Sequence, residues 1–140
     1  MKSKKIIENE IEKRDFARGG EVSSKLKNKL RKLGIDNKDI RRSSIITYEL
    51  EMNLIIHSKG GVLKAAVSSK SIEIETKDRG PGIEDIDKAL KPGYSTASDQ
   101  IREMGFGAGM GLNNVKNFSD ELMVQSEVGK YTEVKATVKL

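Results

Sequence analysis

Hydrophobic and polar residues alternate along several stretches of the chain, as they do in strands that bury one face of a sheet. The alternation is strictest over residues 71–77, and residues 62–68 precede it closely enough to form a hairpin-like pair. Residues 122–128 and 132–140 predict a second pair of strands, and residues 5–12 predict a first strand. The pattern therefore predicts a sheet with one apolar face.

Helical spacing of hydrophobic residues appears in the segments between these strands. It extends over residues 21–33, where Gly34 ends it, and over residues 37–57, where Asp36 stands at the N-cap position. A short helix is predicted at residues 84–90 and a third main helix at residues 110–121.

These elements predict the fold class. Helices gathered on one face of a mixed, mostly antiparallel sheet make a two-layer α/β sandwich. At 140 residues the chain is expected to form one domain, residues 1–140, with a single hydrophobic core.

Glycine occupies every second position from Gly105 to Gly111, in the sequence GFGAGMGL. Glycine has no side chain to hold a ligand away from the backbone, and it accepts positive φ, so successive N–H groups can turn toward one anion. The predicted helix that follows adds the partial positive charge of its N-terminus, which favours phosphate. The run predicts a phosphate-binding loop, with a merely flexible loop as the alternative.

A second candidate follows the strand predicted at residues 71–77, where Asp78 begins the sequence DRGPGI. Its carboxylate can accept a hydrogen bond from an exocyclic amine. The two glycines, Gly80 and Gly82, would let a flat base approach the backbone. An ordinary Asp–Gly–Pro turn is the alternative.

Polar residues interrupt the apolar helix of residues 37–57 at regular spacing. Glu49, Asn53 and His57 are four residues apart and therefore share one helix face. A carboxylate beside a carboxamide oxygen suits a general base next to a magnesium ligand. A solvated polar face is the alternative, although the rest of this helix is apolar enough to be mostly buried.

Residues 91–108 lack a sustained period and contain four glycines or prolines. A long segment of this kind in a small domain is usually functional or disordered. Its place before the glycine run predicts a mobile lid.

Composition limits the classes of protein to which the chain can belong. With 36% hydrophobic residues, 34% charged residues and no cysteine, a folded cytoplasmic protein without disulfides is expected. No apolar run approaches the roughly 20 residues of a membrane span, so no membrane association is expected.

The net charge of +5 arises in residues 1–47, which hold fourteen Lys or Arg against seven Asp or Glu. A solvated helix face explains this excess first, an acidic protein partner second and nucleic acid third. Nucleic acid is not expected as a partner, because no nucleic-acid motif is recognised and Phe16 is the only aromatic residue in this segment.

Together and in this order, the three elements resemble the GHKL ATP-binding superfamily, which includes gyrase, the heat-shock chaperone of that fold, histidine kinases and MutL. Residues 49–53 are similar to its N box, residues 78–82 to its first glycine box and residues 105–111 to its second. The small size and the KPGYST sequence at residues 91–96 are similar to the anti-sigma-factor serine/threonine kinases, most closely the switch-kinase type. The resemblance covers residues 5–140.

The resemblance implies a site for ATP or ADP with Mg²⁺. Glu49 would be the catalytic base that accepts a proton from a substrate hydroxyl or from water, and Asn53 would hold Mg²⁺. Asp78 would bind the adenine amine with help from Thr132. The implied nucleotide-binding residues are Asn53, Asp78, Gly80, Gly82, Ile83, Gly105, Gly107, Ala108, Gly109, Met110, Gly111, Leu112 and Thr132.

The chain departs from the family pattern beside Thr132. Family members commonly carry glycine before this threonine, whereas Lys130 and Tyr131 precede it here. Because tyrosine does not accept positive φ without strain, a different hairpin turn is expected.

The resemblance also implies a function, an ATP-dependent serine/threonine protein kinase that phosphorylates a small antagonist-type regulatory protein in a bacterial sigma-factor or stress-signalling partner switch. One alternative is a nucleotide-gated module that binds a sigma factor; another is a detached ATP-binding domain that acts with a partner chain. A homodimer is compatible with each. A histidine kinase would need His57, the only histidine, as phosphoacceptor, and its place inside the nucleotide-binding helix argues against that role.

Overall fold

A computed structural model describes residues 3–91 and 111–140 of the chain. Its strands are β1 (Lys4–Ile11), β2 (Gly61–Val67), β3 (Ser71–Asp78), β4 (Glu121–Glu127) and β5 (Tyr131–Lys139). Its helices are α1 (Glu21–Lys32), α2 (Asn37–Ile56), the short α3 (Ile86–Ala89) and α4 (Gly111–Phe118), with a 3₁₀ turn at Phe16–Arg18. These elements begin and end within a few residues of those that the sequence pattern predicts.

The strands form one sheet in the order β1-β2-β3-β5-β4. The sequence predicts a mixed, mostly antiparallel sheet. All four pairings among the described strands are antiparallel. Helix α2 contacts α1, α4 and the sheet. The predicted two-layer α/β sandwich is confirmed.

Alternation within the strands decides which face of the sheet the helices cover. In β3, the side chains of Ile72 and Ile74 are fully buried in the core, whereas the intervening Glu73 is on the opposite face. Charges of both signs pair across this open face, as Lys135 does with Glu73 at 3.5 Å. The open face is thus polar enough to remain in water while the other face forms the core.

Helix α2 supports the candidate site from the middle of the helical layer. The Asp36 side chain caps its N-terminus by accepting a hydrogen bond from Lys38 N at 2.9 Å, as the sequence predicts. The helix ends at Ile56, and Gly60, with a φ of 92°, leads the chain into β2. The buried apolar residues of α2 are Ile40, Ile46, Leu50, Met52, Leu54, Ile55 and Ile56.

A buried carboxylate joins α2 to α1. Glu51 is 2% exposed and accepts hydrogen bonds from Val22 N at 3.1 Å and Ser23 N at 3.3 Å. N–H groups in the first turn of a helix have no partner within the helix, so Glu51 caps α1 from another element. Burial raises the pKa of Glu51, and the backbone donors oppose that rise. Nothing in the sequence pattern assigns Glu51 this role.

The third main helix is predicted to extend to residue 121, but α4 ends earlier, at Phe118. Asp120 lies outside the helix, where its N–H donates to Thr137 O at 2.8 Å and its carboxylate accepts from Arg42 Nη2 at 2.8 Å. These bonds join the start of β4 to the sheet and to α2. The predicted lid at residues 91–108 lies outside the described residues except for Lys91.

The outer surface of the helical layer carries much of the basic excess. Lys25, Lys27 and Arg31 of α1 are exposed, which agrees with a solvated helix face. Within residues 3–91 and 111–140, no helix has both the length and the apolar character that crossing a bilayer requires.

Candidate functional site

The predicted site residues that the structure describes fall into two groups. The first brings Glu49 and Asn53 of α2 beside Gly111, at the start of α4. The second brings Asp78, at the end of β3, beside Thr132 of β5. Since α2 packs on both β3 and β5, one helix supports both groups.

Asp78 is a half-buried carboxylate, and one of its two oxygens already accepts hydrogen bonds from the backbone. Its Oδ1 atom accepts hydrogen bonds from Gly80 N at 2.9 Å and from Thr132 N at 2.8 Å. Its Oδ2 atom accepts none from the residues that the structure describes. Burial raises the pKa of Asp78, and the two backbone donors oppose that rise. The carboxylate is therefore fixed in orientation and retains one oxygen for a further donor.

One hydroxyl fastens the turn after β3 to the β4–β5 hairpin. Ser126 Oγ accepts a hydrogen bond from Ile83 N at 2.7 Å and donates one to Tyr131 O at 2.9 Å. Because a hydroxyl has a single hydrogen, the 3.0 Å contact between Ser126 Oγ and Thr132 Oγ1 is best assigned with Thr132 as donor. Sequence reasoning missed Ser126, since a lone serine in a strand carries no signal of its own.

The glycines of this turn face the protein's own hairpin. Gly80 has a φ of 106°, and a Cβ there would lie 3.4 Å from Lys130 O. Gly82 has a φ of 86°, and its Cβ would lie 2.6 Å from Glu127 O. The sequence motif alone predicts that both glycines allow a flat base to approach the backbone. Their backbone conformation and the nearby hairpin also exclude a side chain at each position.

Thr132 is placed beside Asp78 despite the departure from the family pattern. The positive φ of the hairpin turn, 81°, belongs to Gly129, and Tyr131 begins β5 in extended conformation. The turn thus uses a glycine three residues before Thr132, which is 8% exposed.

Glu49 is half-buried and has one protein partner among the described residues. Asn114 Nδ2, one turn into α4, donates a hydrogen bond to Glu49 Oε1 at 3.2 Å. Burial raises the pKa of Glu49, and the Asn114 hydrogen bond lowers it by a smaller amount. A carboxylate with a raised pKa is a stronger base than an exposed glutamate. Sequence reasoning missed Asn114.

Gly111 lies directly against these two side chains of α2. A Cβ at position 111 would be 2.9 Å from Asn53 Oδ1 and 3.5 Å from Glu49 Oε2. A side chain here would therefore push against the carboxamide oxygen predicted to bind metal. Of the predicted glycine run, only Gly111 is described, and its closeness to Asn53 is an observation that sequence spacing could not supply.

His57 follows α2 as its C-terminal capping residue and is half-buried. Desolvation lowers the pKa of His57, and the charge of Arg14 lowers it further. Both effects favour the neutral form of the imidazole.

Of the remaining predicted residues, some belong to residues 3–91 and 111–140, and the others lie outside these ranges. Leu112 lies in the first turn of α4 and packs against the core. In the described part of the chain, no group of three or more Asp, Glu, His or Cys side chains could hold a metal ion. The predicted residues outside the described ranges are Gly105, Gly107, Ala108, Gly109 and Met110.

The chain is similar to known proteins in both sequence and fold. Residues 38–140 match the family of histidine kinase-, DNA gyrase B- and HSP90-like ATPases. The chain is 43% identical over 94 residues to an anti-sigma F factor of Thermoanaerobacter sp., covering 64% of this chain and 62% of that relative. It is 32% identical over 114 residues to the serine/threonine-protein kinase RsbT of Bacillus subtilis, covering 79% of this chain and 80% of that relative.

A solved structure supports the same fold. A chain in the crystal structure of the SiaB–SiaC complex from Pseudomonas aeruginosa matches 96% of this chain and 89% of its own length, with a TM-score of 0.66 and 13% identity. The names of the sequence relatives agree with the predicted resemblance to anti-sigma-factor serine/threonine kinases. The family match covers most of the chain, and the chain therefore belongs to the histidine kinase-, DNA gyrase B- and HSP90-like ATPase family.

Proposed function

We propose that the protein is an ATP-dependent serine/threonine protein kinase that phosphorylates a small antagonist-type regulatory protein in a bacterial partner switch. The observation that carries the proposal is the half-buried Glu49 carboxylate beside Asn53, facing the bare backbone of Gly111. Membership of an ATPase family and similarity to a serine/threonine kinase support it. The chain spans about 62% of the length of the anti-sigma F factor that it matches.

Adenine recognition would depend on Asp78. Because Gly80 N and Thr132 N occupy its Oδ1 atom, Oδ2 is the oxygen that would accept the exocyclic amine of adenine. The same oxygen would oppose the carbonyl that guanine carries at that position. The site would therefore accept ATP and ADP and exclude GTP.

The phosphates and Mg²⁺ would lie between α2 and the start of α4. Since no cluster of acidic or histidine side chains in residues 3–91 and 111–140 could hold a metal alone, Asn53 Oδ1 would share Mg²⁺ with the nucleotide phosphates. Bound Mg²⁺ would neutralise charge on the phosphate oxygens. The backbone of the glycine run, residues 105–111, would surround the phosphates.

Glu49 would act on the substrate hydroxyl. It would accept the hydroxyl proton while the hydroxyl oxygen bonds to the γ-phosphorus and the bond to the bridging oxygen of ADP breaks. Proton acceptance by a positioned carboxylate contributes on the order of 10²–10⁴ to the rate. We further propose a cytoplasmic location, in keeping with a chain that has no cysteine.

Phosphate transfer to antagonist-type proteins of the same genome tests the kinase proposal. With ATP and Mg²⁺, the wild-type protein should phosphorylate one of them on serine or threonine. Glu49→Gln should reduce transfer by roughly 10² or more while nucleotide affinity stays within a few-fold. Glu21→Gln is the matched control, because Glu21 is an exposed glutamate on α1. Unchanged transfer by Glu49→Gln would rule out the proposed base.

Sigma-factor binding is a second candidate function, favoured by the 43% identity to an anti-sigma F factor. A nucleotide-gated binding module needs no catalytic base. Tight, ATP-dependent binding of a sigma subunit, together with the absence of transfer to any antagonist-type protein, would favour this function over the kinase.

A further inference from the structure

A second asparagine contacts the reaction centre from outside the three predicted motifs. Asn114 Nδ2 donates to Glu49 Oε1 at 3.2 Å across the α2–α4 interface. The two residues are 65 positions apart in sequence and belong to helices that pack against each other. Asn114 is half-buried and lies three residues after Gly111, so both occupy the same face of α4.

We propose that Asn114 is a positioning residue that holds the Glu49 carboxylate in the orientation in which it accepts the substrate proton. This inference rests on the kinase function proposed above. A glutamate side chain has three rotatable torsions, and fixing them removes conformational freedom that the reaction would otherwise have to restrict. Asn114 donates to Oε1, and Oε2, on the side of Gly111, accepts no hydrogen bond from residues 3–91 or 111–140, so Oε2 is the oxygen that would accept the proton.

The contact also joins the base to the nucleotide-binding segment. Gly111, against Asn53 Oδ1, ends the glycine run, and Asn114 follows one helical turn later. A single turn of α4 therefore lies against both the predicted metal ligand and the predicted base.

The hydrogen bond from the Asn114 side-chain amide affects the pKa of Glu49. Asn114 donates to the ionised form of Glu49 and so favours it, which opposes the effect of burial on the pKa of Glu49. Asn114→Ala should raise the pKa of Glu49. Asn114→Asp should raise it further, because it replaces a donor with a second negative charge.

The test combines kinetics with direct titration of Glu49. Asn114→Ala should lower the rate constant for phosphate transfer by roughly tenfold while the KM for ATP stays within about twofold. The acid limb of the pH–rate profile should move to higher pH, and further in Asn114→Asp. In carboxyl NMR of the nucleotide-free protein, with Glu49→Gln used for assignment, the Glu49 resonance should titrate at higher pH in both variants. Asn117→Ala is the matched control, because Asn117 is an exposed asparagine of the same helix.

A double variant separates positioning from a general packing role. If Asn114 acts through Glu49, adding Asn114→Ala to Glu49→Gln should cost no further activity, since the two effects are not additive. Equal rates and equal Glu49 titration in Asn114→Ala and Asn117→Ala would overturn the inference. Full activity of Glu49→Gln is a different result, which would remove the base itself and with it the reason for positioning it.

Discussion

Gly111 lies so close to Asn53 that a Cβ at position 111 would be 2.9 Å from the Asn53 Oδ1 atom. The contact unites the last glycine of the predicted phosphate loop with the predicted metal ligand, 58 residues earlier in the chain. A side chain at position 111 would displace this oxygen of Asn53, which ends a short side chain that can rotate. Glycine at position 111 therefore leaves Asn53 Oδ1 in its present position.

Replacing Gly111 with alanine should separate function from stability. The φ of Gly111 is not in the left-handed region, and the contacting Asn53 side chain can rotate, so Gly111→Ala should unfold at about the same urea concentration as the wild type. Displacement of Asn53 Oδ1 should nevertheless weaken Mg²⁺-dependent ATP binding by on the order of tenfold. Calorimetry with and without Mg²⁺ measures the effect, with Asn117→Ala as control. Normal Mg²⁺-ATP affinity in Gly111→Ala would remove Asn53 from the metal site.

Base selectivity should depend on Asp78. In Asp78→Asn, the side-chain oxygen is needed by Gly80 N and Thr132 N, so the amide NH₂ would face the adenine amine. Two opposed donors should weaken ATP binding by roughly 1–3 kcal/mol, or about 5- to 150-fold. The wild-type protein should bind ATP far better than GTP in calorimetry. Equal affinities for the two nucleotides would contradict the adenine assignment.

The extent to which sequence predicts this protein follows from where each signal lies. Alternation in residues 71–77 and helical spacing in residues 37–57 are local, so they predict β3 and α2 closely. Asp78 and Gly111 belong to short motifs, so their candidate roles are also predicted from local sequence. Hydrogen bonds between elements that are distant in sequence give no local pattern, because each depends on how those elements pack. The partnerships that sequence reasoning missed are Glu51 with Val22 and Ser23, Ser126 with Ile83, and Asn114 with Glu49.

Glu51 should stabilise the fold without taking part in the reaction. Glu51→Ala removes the cap of α1 and leaves a cavity, which together should lower the free energy of unfolding by about 2–4 kcal/mol. Urea denaturation measures the loss. Glu21→Ala, in the exposed first turn of the same helix, should cost less than about 1 kcal/mol. Equal losses for the two variants would show that the bonds from Val22 N and Ser23 N contribute little.

The pH dependence of phosphate transfer should report the environment of Glu49. Burial raises the pKa of this carboxyl above its ordinary value, and only the ionised form accepts a proton. As pH falls through that raised pKa, the rate constant should decline, and the decline should begin at a higher pH than an exposed glutamate would give. Single-turnover rates from pH 4.5 to 8 at saturating ATP measure this limb. Asp78 also titrates with a raised pKa, so ATP affinity must be measured at each pH to keep binding apart from chemistry. A rate that stays constant down to the acid unfolding of the protein would exclude Glu49 as the group whose ionisation controls transfer.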